Sequence, residues 1–214
     1  MLKNLKIEWM KIKNYRVFQV FSALYLMGLL LVVYIFYKVY LNVVGSVQQT
    51  VTGTQGKGSD VLNLFSSEFL MQTVCFWTGF LLYLPGMIII SLFINEVNFK
   101  TNRQNIIDGW KRETFIYSKI GLIVCMAAVI AIMNLLAGFI MSNVVGVTLS
   151  ADALKMVGFS FVQAMVYLLF ALLLATFFRR SGVAIIVFFI YGLLLEFLFM
   201  WIAGKISPGL QHFM

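Results

Sequence analysis

The distribution of charge along the chain limits its fold more than any other feature. Five long apolar stretches, 17–40, 69–94, 115–141, 156–178 and 183–204, fill most of the 214 residues. Each is roughly 22 to 27 residues long, enough to cross a hydrocarbon core of about 30 Å as an α-helix. Hydrophobic residues make up 62% of the chain and charged residues 11%, where a soluble domain carries about 25% charge. Within lipid every backbone polar group must be satisfied internally, so a helix is the form such stretches take. The sequence predicts an all-α polytopic membrane protein with five transmembrane helices, a single transmembrane domain over 1–214 with no separate soluble unit.

The basic residues predict an orientation. With the amino terminus in the cytoplasm, Lys3, Lys6, Lys11, Lys13, Arg16, Lys100, Arg103, Lys111, Arg112, Lys119, Arg179 and Arg180 lie inside. These are twelve of the sixteen Lys and Arg residues, and only Lys38, Lys57, Lys155 and Lys205 fall outside. That bias in short loops sets topology, and an odd number of spans gives N-in, C-out. The net charge of +8 is then explained by the anionic inner leaflet, and no nucleic-acid partner is implied. The first stretch is too long for a signal-peptide core and no small-residue cleavage site follows it, so it is predicted to be retained.

Residues 1–16 predict an interfacial amphipathic helix: Leu2, Leu5, Trp9 and Ile12 recur at helical spacing, with Lys3, Lys6 and Lys13 on another face. Lys6, Trp9 and Lys13 are its anchor candidates. Segment 41–68 is predicted as a flexible outer loop, because 45–59 is rich in Gly, Ser, Thr and Gln. Pro85-Gly86 predicts a kink in the second span. Gly182 and Gly192 permit close helix contact in the last span without demanding it. Glu196 is the one carboxylate deep in a predicted span; it requires a partner, a cavity or a proton. Glu196 and Pro85 are thus candidates for a transport pathway or a dimer contact, and a structural hydrogen bond is the plainer role for Glu196.

Catalytic chemistry has little to build on. Cys75 and Cys125 sit in apolar stretches away from any CxxC spacing, which predicts packing residues and neither disulfide nor metal site. His212 is the sole histidine, so no clustered acid–base or metal-ligating set exists for an integral membrane enzyme. The chain contains no GxxxxGK[ST] phosphate loop, so P-loop ATP hydrolysis is not expected of it.

The connection 95–119, NEVNFKTNRQNIIDGWKRETFIYSK, is too long for a tight hairpin and too amphipathic for a passive linker. Ile106, Ile107 and Trp110 form an apolar patch, while Arg103, Asp108, Lys111 and Arg112 project elsewhere. Asp108 and Arg112 stand four apart, a helical ion-pair spacing, and Gly109 weakens a helix by about 1 kcal/mol. A short interfacial element with this pattern serves equally as a knob for docking another protein or as an anchor in lipid.

Glu96 near the end of the second span, Thr101, the run Arg103-Gln104-Asn105-Ile106-Ile107-Asp108-Gly109, Arg112, Phe115 and then Lys119 opening the third span stand in a recognisable order. This stretch resembles the intracellular coupling region of bacterial ABC-2-type (type V exporter) permeases, and the basic amphipathic start of the chain resembles theirs. The resemblance implies a permease subunit in the bacterial inner membrane, paired with a second permease chain, identical or not, above two copies of a separate ABC ATPase. ATP and Mg would bind that ATPase, and this chain would hold no cofactor. It implies that Glu96, Arg103, Ile106, Ile107, Asp108, Trp110 and Arg112 couple to the ATPase. Such permeases usually have six spans with both termini inside, where five are read here. The 21 Phe and 12 Met residues suit an amphiphilic or hydrophobic cargo such as a peptide, lipid or drug-like molecule. The competing expectation is a membrane scaffold or immunity-type protein that binds a partner without transport.

Overall fold

The computed structural model of the chain describes residues 10, 12, 15–50, 66–101 and 112–192. Its elements are all helical: α1 (Arg16–Thr50), α2 (Ser67–Leu81), α3 (Tyr83–Asn98), α4 (Arg112–Val145), α5 (Ala151–Phe178) and α6 (Ser181–Ile190). Four helical segments are long and apolar enough to cross a membrane: Arg16–Val43, Ser67–Asn98, Phe115–Val145 and Ala151–Phe178, with mean hydropathy between 1.9 and 2.6. This is the architecture of a multi-pass membrane protein. Of the predicted fifth span, α6 and the helical residues 191–192 are described; 193–204 lies outside the described residues.

Several helix boundaries extend past the sequence expectation, and the predicted kink of the second span is present. α1 continues to Thr50, so 45–50 is helical where a flexible loop is predicted; residues 51–65 are outside the described set. The apolar Leu41, Val43 and Val44 and the good helix formers Gln48 and Gln49 carry the helix past Gly45, whose opposition is worth only about 1 kcal/mol.

The second span is two helices joined at Leu82. Pro85 has no N–H to offer the carbonyl of Leu81, and its ring collides with that carbonyl. The chain tightens instead: Leu82 N donates to Gly79 O at 3.1 Å, and Gly86 N resumes the helical ladder on Leu82 O at 3.0 Å. The kink therefore sits one turn before the proline that causes it.

The fourth span opens at Ala151, ahead of the predicted 156. Gly146 ends α4 with φ +77°, a conformation that favours glycine, and the N–H groups of Gly146 and Val147 both donate to Ser142 O. The chain reverses within a few residues. Ser150 then caps α5, its hydroxyl oxygen accepting from Ala153 N at 3.1 Å. Asp152 lies in the first turn, where a carboxylate meets the positive end of the helix dipole, and it pairs with Lys155. Ser150→Ala is expected to lower the melting midpoint of the purified protein, by about 1 kcal/mol of stability; an unchanged midpoint would show that the cap is not needed.

α5 is the central helix, packed against α2, α3, α4 and α6. Its buried stripe is Ala153, Ser160, Ala164, Leu168, Ala171, Leu174 and Ala175. Small residues at three- and four-residue intervals let backbones approach closely, the main source of helix association where lipid is as apolar as the side chains. Gly86 of α3 meets the fully buried Phe188 of α6, and Gly192 lies against the Tyr83 ring; a Cβ at either position would overlap those rings. Close contact is thus required at Gly192, whereas Gly182 faces open space. Tyr83 stacks on Phe189 (5.1 Å between centroids, 12°) and meets Phe188 edge-on at 5.6 Å.

Candidate functional site

The end of the bundle formed by the close of α3 and the opening of α4 carries a buried polar junction. Glu96 stands near the carboxyl end of α3 and Lys119 two turns into α4. Lys119 Nζ donates to Glu96 Oε1 at 2.6 Å, with side-chain exposures of 6% and 14%. A carboxylate near a helix carboxyl end opposes the local dipole, so Glu96 is tolerable there because a buried cation faces it. The Lys119 ammonium also lies 5.3 Å from the Phe115 ring centroid, one turn earlier on α4, which holds it over an electron-rich face.

Thr101 joins the same junction. Lys100 leaves the helix with φ +55°, and its N–H turns to Val97 O at 3.2 Å. This frees the carbonyl of Glu96, and the Thr101 hydroxyl donates to it at 3.1 Å. One residue thereby sets the direction in which the chain departs into 102–111. Both ends of that connection are tied together, since α3 and α4 are clasped by Glu96 and Lys119.

The segment before α1 completes the junction. Asn95 Nδ2 donates to the hydroxyl of Tyr15. Ile12 is 2% exposed and closes a cavity of about 20 Å³ with Ile89, Phe93, Glu96, Lys119 and Leu172. Ile12, placed on the apolar side of the predicted interfacial helix, is packed against protein. Met10 is exposed at 55%.

The sequence candidates divide clearly. Glu96 is paired as described. Pro85 is buried at the start of α3. Arg112 begins α4, and its backbone alone is described. Arg103, Ile106, Ile107, Asp108 and Trp110, the anchors Lys6, Trp9 and Lys13, and Glu196 lie outside the described residues. Lys119 and Thr101 stand in the motif order, but the pairing of Lys119 with Glu96 and the contacts of Ile12, Tyr15 and Asn95 are tertiary. The available signal was two opposite charges at the facing ends of consecutive apolar stretches.

A second polar set lies deeper between helices. Asn134 Nδ2 of α4 donates to Ser160 Oγ of α5 at 2.6 Å, both buried, and the Cys75 thiol of α2 approaches Met156 O at 3.8 Å. These bonds link neutral groups across helices and are worth about 0.6 kcal/mol each on average in lipid, so they fasten the bundle without offering chemistry. Among the described residues no group of three His, Cys, Asp or Glu side chains is placed to hold a metal ion. Comparison with protein-family models, with curated proteins and with solved structures returns no match.

Proposed function

We propose that this chain is the membrane-spanning permease subunit of an ATP-driven exporter in the bacterial inner membrane, with five spans, N-in and C-out. The connection 95–119 receives the movement of a separate ABC ATPase, two copies of which sit beneath a pair of permease chains. The cargo is amphiphilic or hydrophobic. The observation that supports this reading is the junction of Glu96, Thr101 and Lys119. A segment clasped at both ends by a buried ion pair transmits an applied force to α3 and α4 as one body. The same segment on a loose loop would dissipate it. The order of residues from Glu96 to Lys119, the excess of basic residues at that end of the bundle, and the apolar Ile106-Ile107 and Trp110 agree with the same reading.

The test is co-purification with an ABC ATPase encoded beside its gene, followed by a measurement of ATP hydrolysis in proteoliposomes. The permease is expected to stimulate hydrolysis. Trp110→Ala combined with Arg112→Ala is expected to return the rate to that of the ATPase alone while both proteins still co-purify. Unchanged stimulation in that variant, or no ATPase retained by the wild-type chain, overturns the proposal.

A further inference from the structure

The wall that shields the Glu96–Lys119 pair includes a side chain from outside the spans. The cavity beside the pair is lined by Ile12 together with residues of α3, α4 and α5 such as Phe93, Leu122 and Leu172. Every other described lining residue stands within a membrane-spanning helix. Ile12 precedes α1, which opens at Arg16, yet it is 2% exposed and belongs to the main core of the bundle. At about 20 Å³ the cavity has room for about one water molecule. That is far short of a hydration shell for two charges.

A latch holds Ile12 in that place. Tyr15 N donates to Ile12 O at 2.9 Å and Gln19 N donates to Tyr15 O at 3.2 Å, so one turn of backbone carries Ile12 into the start of α1. On that turn the Tyr15 hydroxyl accepts from Asn95 Nδ2, and Asn95 is the residue before Glu96. The turn that covers the pair is therefore fastened beside the pair. Met10, two residues before Ile12, is 55% exposed. Among the described residues 10, 12 and 15, a buried side chain and a side-chain hydrogen bond make the attachment. Such an attachment can open without parting the helices of the bundle.

Access of water decides how strongly a charge pair binds. Opposite charges kept from water attract strongly, and removing one of them is costly. Beside water the same contact is weak. We propose that the turn 12–15 is a removable seal on this junction. Seated, Ile12 keeps the pair dry, and α3 and α4 stay clasped. Lifted, it admits water to both charges, and the clasp weakens to that of a surface pair. The N-terminal segment thereby sets how firmly the two ends of the 102–111 connection are held. The device follows from the geometry of the junction and operates whether or not an ATPase docks there.

The test places Lys119→Met in several backgrounds of the full-length chain in mild detergent and reads the drop in melting midpoint that it causes. With Ile12 and Tyr15 intact, the ammonium is taken from a dry site and the drop is large. In Ile12→Ala, water already reaches the pair, and the drop should shrink by about threefold or more. Ile12→Leu keeps an apolar side chain of the same size and should restore the full drop. Tyr15→Phe removes the latch but not the seal and should give an intermediate value. Salt supplies an independent reading. Between about 0.1 M and 1 M the screening length falls from about 10 Å to 3 Å, so Ile12→Ala should lose midpoint relative to the wild type and Ile12→Leu should not. An equal drop for Lys119→Met with and without the Ile12 side chain would show that Ile12 only packs, and an equal salt response of Ile12→Ala and Ile12→Leu would say the same. A small drop in the wild type would mean that the pair is already wet. Each of these overturns the seal. Should Ile12→Ala fail to fold, Tyr15→Phe decides: a drop there equal to that in the wild type overturns latch and seal together.

Discussion

Replacing Lys119 with methionine is expected to destabilise the protein by about 3–5 kcal/mol, because it removes the buried ammonium that faces the Glu96 carboxylate. Both partners are largely withdrawn from solvent, so water cannot take over the role of the ammonium as it would at a surface pair, worth less than about 1 kcal/mol. The melting midpoint of the detergent-solubilised variant measures the loss. The double variant Glu96→Leu with Lys119→Met removes both charges, and its stability should return close to wild type, since apolar replacement of a buried pair is often neutral. Hydrolysis coupling then separates structure from function. If the double variant is stable yet fails to stimulate the ATPase, the pair transmits force beyond holding two helices together. If coupling returns with stability, the pair is a fastening and the transmission lies elsewhere. A single Lys119→Met variant as stable as wild type would mean that the junction does not exist in the membrane.

Gly86→Val is expected to destabilise the interior of the bundle strongly. The α-carbon of Gly86 faces the Phe188 ring, which is fully buried, so the added side chain has no direction in which to move aside. Overpacking of this kind costs about 1–3 kcal/mol and occasionally more. Gly86→Ala gives the sharper comparison, since alanine improves helix propensity by about 1 kcal/mol. A net loss of stability in Gly86→Ala must therefore come from the α3–α6 contact. Gly158→Ala in α5 is the control: nothing lies within 4 Å of its added Cβ, so propensity acts alone and stability should rise. Equal responses at the two positions would remove the packing explanation. Loss at Gly86 alone, relieved by Phe188→Leu, would establish that α6 is held against the kinked half of the second span.

Legibility from the sequence followed the range of the physics. Length and hydropathy act along a single segment, and four of the five apolar stretches appear as helices long enough to cross a bilayer. Pro85 likewise acts within one turn, and the break at Leu82 lies where a missing N–H and a displaced carbonyl put it. The boundaries at Thr50 and Ala151 were less visible. Ser150 caps α5 through its side chain and Gly146 turns the preceding chain, while a hydropathy window records only that the region is less apolar.

The candidate site was half legible. Glu96 and Lys119 are opposite charges at the facing ends of two apolar stretches, and Thr101 takes its place in the motif order. That Thr101 answers the particular carbonyl released by Lys100 depends on a left-handed residue no pattern announces. Ile12 reads as one member of a lipid-facing stripe, yet it is enclosed by Ile89, Phe93 and Leu172, because a neighbouring protein surface satisfies an apolar side chain as well as lipid does.

By itself the sequence determined that this chain lives in a bilayer, since continuous apolar length leaves a helix no other solvent. It also determined where the second span must bend. Only the tertiary structure decided which charge answers which, why Gly86 and Gly192 admit no side chain, and that small residues place α5 at the centre. Those outcomes depend on distances between segments far apart in the chain, and helix-to-helix contact has no signature in local composition.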